Sequence, residues 1–221
     1  MQSYTAALFT SGPVAHLIDL AIRVQTSQGE LSLDDEIRRY IRVTGASDTA
    51  KWSCPARTGA AMLDVAGELL TENSPVAIPD EFRQKLAQAS GDEDAAEYLH
   101  TLAGIVRILD RDLPPDYSEL PMNTWEAGMG FPHLSGFTAH LTDDVEATSL
   151  ADSVNSYIAG EHPFCTEVLP RTAAEAHRAL VLFPDADSLR TNLLRPIPWI
   201  SADALRELLR TVDDHMLREH S

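Results

Sequence analysis

"SLDDEIRRYIRVTG", residues 32–45, decides the fold class. Ser32 stands before an acidic first turn of Asp34, Asp35 and Glu36, the sign of charge that a helix N-terminus favours. Leu33, Ile37, Tyr40 and Ile41 recur at the three- and four-residue spacing of one helical face, and Gly45 sits where a left-handed stop ends a helix. Periodicity, cap and stop agree on helix.

The same pattern extends outward on both sides. Val14, Leu17, Ile18, Ala21 and Ile22 share a face behind Ser11 and Pro13, and a further helix is expected from about Pro55 to Leu70. "DEFRQKLAQ" reads as a short helix after the prolines at 75 and 79, and Leu99, Leu102, Ala103, Val106 and Leu109 define a longer one. From 112 to 142 four prolines and three glycines break every period, so a long irregular Pro/Gly segment is expected there. Helical spacing returns at Ala147, Leu150, Ala151, Val154, Tyr157 and Ile158, with Gly160 as the stop. Next comes "TAAEAHRALVLF", opened by a capping-box pattern at Thr172 and Glu175. Helices around 188–194 and 205–216 complete about eight. The expected fold is all-α, one domain over 1–221 with no internal boundary, in an irregular orthogonal or bundle-like array.

Composition agrees. Of 221 residues, 44% are hydrophobic but only 6% aromatic, so aliphatic residues and alanine carry the core and favour helix over a sandwich of strands. A chain of this size buries roughly 70% of its unfolded surface. Its longest aliphatic and aromatic run is the short "ALVLF" at 179–183, far below a bilayer span. "MQSYTAALFTSG" lacks the basic and apolar regions of a secretory leader, and Cys54 and Cys165 do not make a disulfide framework. These features lead to an expectation of a soluble, cytoplasmic protein. Two lysines against fifteen arginines, with abundant alanine, suit a GC-rich coding sequence.

A net charge of −17 argues against nucleic acid or an anionic membrane as partner, since both require a positive surface. The charge is unevenly distributed. Residues 37–57 carry Arg38, Arg39, Arg42, Lys51 and Arg57 against Asp48 alone, a local +4, whereas 112–170 contains ten acids and no lysine or arginine. Read as a helix-turn-helix, the basic stretch fails, because Pro55 stops its second helix within about two turns. The leading expectation is therefore an interaction or regulatory protein that recognises a partner protein through these basic and acidic surfaces. A homo-oligomer is compatible with it.

An enzymatic alternative rests on "GMGFPHLSGFTAHLTDD", 128–144. His133, His140, Asp143 and Asp144 supply imidazole nitrogen and carboxylate oxygen, the donors of zinc, iron or manganese sites, with His162 and Cys165 downstream in the same cation-poor region. A divalent metal held there would serve a hydrolase or oxygenase. The plainer reading makes Asp143 an N-cap, with Asp144 and Glu146 as first-turn acids. Glu97 and His100 form one Glu-x-x-His, half of a di-iron constellation that has no second half in this chain. There is no His-Glu-x-x-His, Gly-x-Ser-x-Gly, Walker loop or Gly-x-Gly-x-x-Gly, so no cofactor is established. A third reading places a small apolar ligand against Trp125, Met129 and Phe131, beneath the irregular segment as a lid.

Overall fold

The computed structural model describes residue 9 and residues 12–46, 54–71, 78–143 and 149–220. Among these residues are eleven helices and no strand. By packing, the chain divides into two compact units, Met1–Pro115 and Asp116–Ser221.

The first unit contains α1 (Pro13–Thr26), α2 (Leu33–Ala46), α3 (Ala56–Leu69), α4 (Asp80–Ser90) and α5 (Ala95–Leu109). Val14, Leu17, Ile18 and Ala21 of α1 are buried, as their spacing requires, and burying a side chain of this kind stabilises by about 1.5–3 kcal/mol. Phe82 of α4 packs its ring 4.8 Å from Phe9. On α2 the apolar face is as read from the sequence, with Ile37, Tyr40 and Ile41 buried, and the Tyr40 hydroxyl donates to the Cys54 carbonyl at 3.3 Å. That helix runs one residue past Gly45 before it ends.

α3 and α5 pack closely through small residues. Gly59, Ala60, Leu63, Ala66 and Gly67 are buried on α3, and Leu99, Leu102, Ala103 and Val106 on α5. A Cβ on Gly67 would lie 2.9 Å from His100 Nε2 and 3.2 Å from the Ala96 carbonyl, so any larger residue would require the His100 ring to shift. Asp94 caps α5 by accepting from the backbone N–H groups of Ala96 and Glu97 at 3.0 and 2.9 Å.

The second unit contains α6 (Thr124–Gly130), α7 (Pro132–Asp143), α8 (Leu150–Glu161), α9 (Cys165–Leu182), α10 (Ala186–Leu193) and α11 (Ala202–Glu219). Here the expected irregular segment is corrected, because α6 and α7 occupy 124–143. Asn123 caps α6 by accepting from Glu126 N–H at 3.0 Å, and Pro132 opens α7, a position where its missing N–H costs nothing. The glycines that suggested a loop are carried inside helices held by burial of Ala127, Phe131, Leu134 and Phe137. Asp143 therefore ends a helix rather than capping the next one, whose cap is Ser149.

The expected start at Thr172 is also overturned, since α9 begins at Cys165 and passes through Pro170, leaving Thr172 fully buried in its interior. Glu175 caps a different helix. Its Oε2 accepts from both His133 and Leu134 N–H at 2.9 Å, anchoring the N-terminus of α7, while burial raises its carboxyl above the usual range against the pull of those two bonds. The core of this unit gathers Phe131, Phe137, Val154, Leu169, Ala176, Phe183, Leu193, Leu205 and Leu208. Trp199 closes it at one side, edge-on to Phe137 at 5.3 Å and donating Nε1–H to Thr138 Oγ1 at 3.0 Å.

Candidate metal centre

α11 follows its apolar stripe through Leu205, Leu208, Leu209 and Val212, all buried, against α8 and α9. Three and four residues after Val212 come His215 and Met216, which continue that stripe at half-burial. Glu219 ends the helix and His220 follows as its C-cap residue, its backbone N–H bonded to the Met216 carbonyl at 3.1 Å. Opposite them, α8 stops at Glu161, and the turn of His162, Pro163 and Phe164 delivers Cys165 as the first residue of α9.

These elements bring His162, Cys165, His215 and His220 together, their donor atoms all within 4.8 Å of one another. Cys165 is fully buried and forms the hub. Its Sγ lies 2.9 Å from His220 Nε2, 3.4 Å from His162 Nδ1 and 3.5 Å from His215 Nε2. Tetrahedral zinc with one sulfur and three nitrogens requires separations of about 3.6 Å for sulfur to nitrogen and about 3.3 Å for nitrogen to nitrogen. Two of the three sulfur distances fall close to that value. A thiol has one proton to offer, so Cys165 can donate to only one of its three imidazole neighbours. Partial burial and then the neighbouring His220 hold the His215 imidazole below its ordinary pKa, which favours the neutral, electron-pair-donating form. Chemically, the four side chains could hold a borderline-soft transition-metal ion.

Sequence reading noted His162 and Cys165 only as lying downstream of the expected site, and did not mark their partners. The signal was present as His-x2-Cys and His-x4-His, both within the ligand spacings of zinc sites, although 50 residues separate Cys165 from His215.

The residues expected to form a metal site at 128–144 are placed otherwise. His133 and His140 stand seven residues apart on α7, about 10 Å along its axis, and belong to no group of three candidate ligands among the described residues. His140 instead stacks on Phe137 at 6.1 Å and meets the edge of Tyr157 at 5.4 Å. The Asp143 side chain and all of Asp144 lie outside the described residues. Glu97 is exposed on α5, and His100 Nδ1 is bonded to Asp64 Oδ1 at 3.0 Å, with Arg107 on the other oxygen of that carboxylate. That ion-paired arrangement leaves no ligand set.

Nor do Trp125, Met129 and Phe131 share a lining. Phe131 is sealed in the core beneath the Arg178 guanidinium, 5.1 Å from its ring centroid, whereas Met129 is exposed and Trp125 half-buried. Of the basic stretch, Arg42 is buried and donates to the Pro115 carbonyl at 2.9 Å, and Arg39 is held by Glu36 at 2.7 Å. Arg57 reaches Asp110 at 2.9 Å, Arg38 is half-buried on α2, and Lys51 lies outside the described residues. No helix among the described residues is long and apolar enough to cross a membrane. No family model, curated protein or solved structure matches the chain, so its functional reading rests on these residues and their chemistry.

Proposed function

We propose that this is a transition-metal-binding protein whose second unit holds one zinc(II)-class ion on His162, Cys165, His215 and His220. The observation that carries the reading is the Cys165 sulfur lying within 3.5 Å of three separate imidazole nitrogens. One thiolate and three neutral imidazoles are all electron-pair donors, and a single cation satisfies them together. Four protein ligands make a site of structural type, which ties the end of α11 to the turn between α8 and α9. In a protein built for interaction or regulation, metal occupancy would govern how firmly that terminal helix is docked.

The test is a metal titration of the chelator-stripped full chain with zinc(II) and with cobalt(II) as a visible probe. One ion per chain is expected, with a thiolate-to-cobalt charge-transfer band. Cys165→Ser should abolish that band, and His220→Ala should weaken binding by at least roughly 100-fold, the upper loss seen when only an outer-shell partner is removed. Loading below about a tenth of an ion per chain would overturn the proposal, since such sites fill near-stoichiometrically.

A second reading keeps partner recognition through the basic 37–57 stretch, favoured by the 82% exposure of the Arg57 side chain. Arg42 lends it no support, being buried. Its test is the salt dependence of binding to an acidic polypeptide such as polyglutamate. Binding unchanged by Arg38→Glu with Arg57→Glu removes it.

A further inference from the structure

Asn155, Ile158 and Ala159 follow the three- and four-residue spacing of one face of α8, and His162 continues that line into the turn. Across from them, His215 and Glu219 stand four residues apart on α11. These six residues line a cleft of about 400 Å³, within the size range of small-molecule sites. The cleft thus reaches two of the four candidate ligands, while the sulfur of Cys165 is buried.

Of the three imidazole rings, those two also stand farthest apart. Ring centroids of His162 and His215 are 6.1 Å apart, against 5.6 Å for His162 and His220 and 5.1 Å for His215 and His220. The cleft therefore opens onto the His162–His215 side of the cluster, away from the buried sulfur. Zinc coordination can expand from four to five, and a four-ligand site reached by a cleft differs in that respect from a closed structural one.

We infer that the cleft between α8 and α11 admits one exchangeable ligand to the metal across the His162–His215 edge, a small neutral nitrogen or oxygen donor of about the size of imidazole. The inference rests on the metal reading above. The Glu219 carboxylate in the lining disfavours anions, the Asn155 amide offers both a donor and an acceptor, and Ile158 and Ala159 supply apolar contact.

Cobalt(II)-loaded full-length protein, titrated with imidazole and separately with azide, tests this. Imidazole should change the visible spectrum saturably with the cobalt retained, and azide should act more weakly. Ala159→Trp, at an exposed position of α8, fills the cleft without replacing a ligand and should weaken the imidazole response at least ~10-fold while cobalt uptake persists. Asn155→Phe plugs the cleft independently. Glu219→Gln should strengthen the azide response. A cobalt spectrum indifferent to imidazole overturns the inference and leaves the metal reading standing, as does cobalt stripped by imidazole or a full response in both plugged variants. An azide response unchanged by Glu219→Gln overturns the preference for neutral donors. Absence of cobalt uptake overturns the metal reading itself.

Discussion

Two networks that contain histidine, one in each unit, show opposite ways of treating an imidazole. In the first unit, His100 shares the Asp64 carboxylate with Arg107, so base, acid and cation answer one another on the α3–α5 seam. In the second, one nitrogen from each of three imidazoles lies within 3.5 Å of a single buried sulfur, with no carboxylate or guanidinium in the group. The first network is complete in itself. The second offers three nitrogens to a sulfur with at most one proton to share, and that difference separates a candidate ligand set from an ion-paired seam.

The largest effect expected from this contrast is metal-dependent protection confined to one unit. At a free zinc concentration 100 times the dissociation constant, the second unit gains about 2.7 kcal/mol. Amide hydrogen exchange should therefore slow along 202–219 on adding zinc and remain unchanged along 95–109. Equal protection in both units, or in neither, breaks the comparison.

A smaller effect probes the self-sufficient network. Gly67→Ala places a methyl group against His100 and the Ala96 carbonyl, a crowding of about 1–3 kcal/mol, offset by about 1 kcal/mol of improved helix propensity. A net loss of about 1 kcal/mol is expected in denaturant unfolding. In a His100→Ala background the same change should become neutral or stabilising, and an unaltered loss would mean that the imidazole is not the obstacle.

The smallest effect concerns pH. Hydrogen bonding from Arg107 holds the Asp64 carboxyl below its ordinary 3.8, with His100 adding to it. The unfolded chain therefore takes up that proton first, so the contribution of this carboxylate is present above about pH 4 and is lost as pH falls through the lower folded value. For a partly exposed pair it amounts to about 0.5 kcal/mol. Asp64→Asn should flatten the acid limb of the first unit's stability by that amount and leave the second unit unaffected. A limb of unchanged slope would remove Asp64 from the account.

Much of the first unit could be read from its residues, because α1, α2, α3 and α5 each carry one apolar stripe and recognisable ends. α6 and α7 could not. Glycines inside a helix cost only about 1 kcal/mol apiece, and burial of Phe131, Leu134 and Phe137 outweighs them, which no local pattern reports. Thr172 and Glu175 mimicked a helix start because the capping-box pattern is short, whereas the continuous packing of α9 through Leu169 and Ala176 is set by distant partners. The candidate metal centre was scarcely legible, since none of the six residues expected as metal ligands belongs to it. His162 and Cys165 were noted only as neighbours of the expected site, and His215 and His220 lie near a helix C-terminus, where histidine has an ordinary electrostatic reason to occur.

The long stretch of chain without lysine or arginine acquires a meaning once two of the four donors are found inside it. A resident ammonium or guanidinium is the natural rival of a diffusing ion for the same lone pairs, and 112–170 supplies none. Arg218 lies between the other two donors in sequence, yet it spends its Nε–H on the Asp214 carbonyl of its own helix at 3.0 Å. Under the metal reading, a stretch free of ammonium and guanidinium groups around two of the donors leaves their lone pairs to a diffusing cation rather than to a charge carried by the chain.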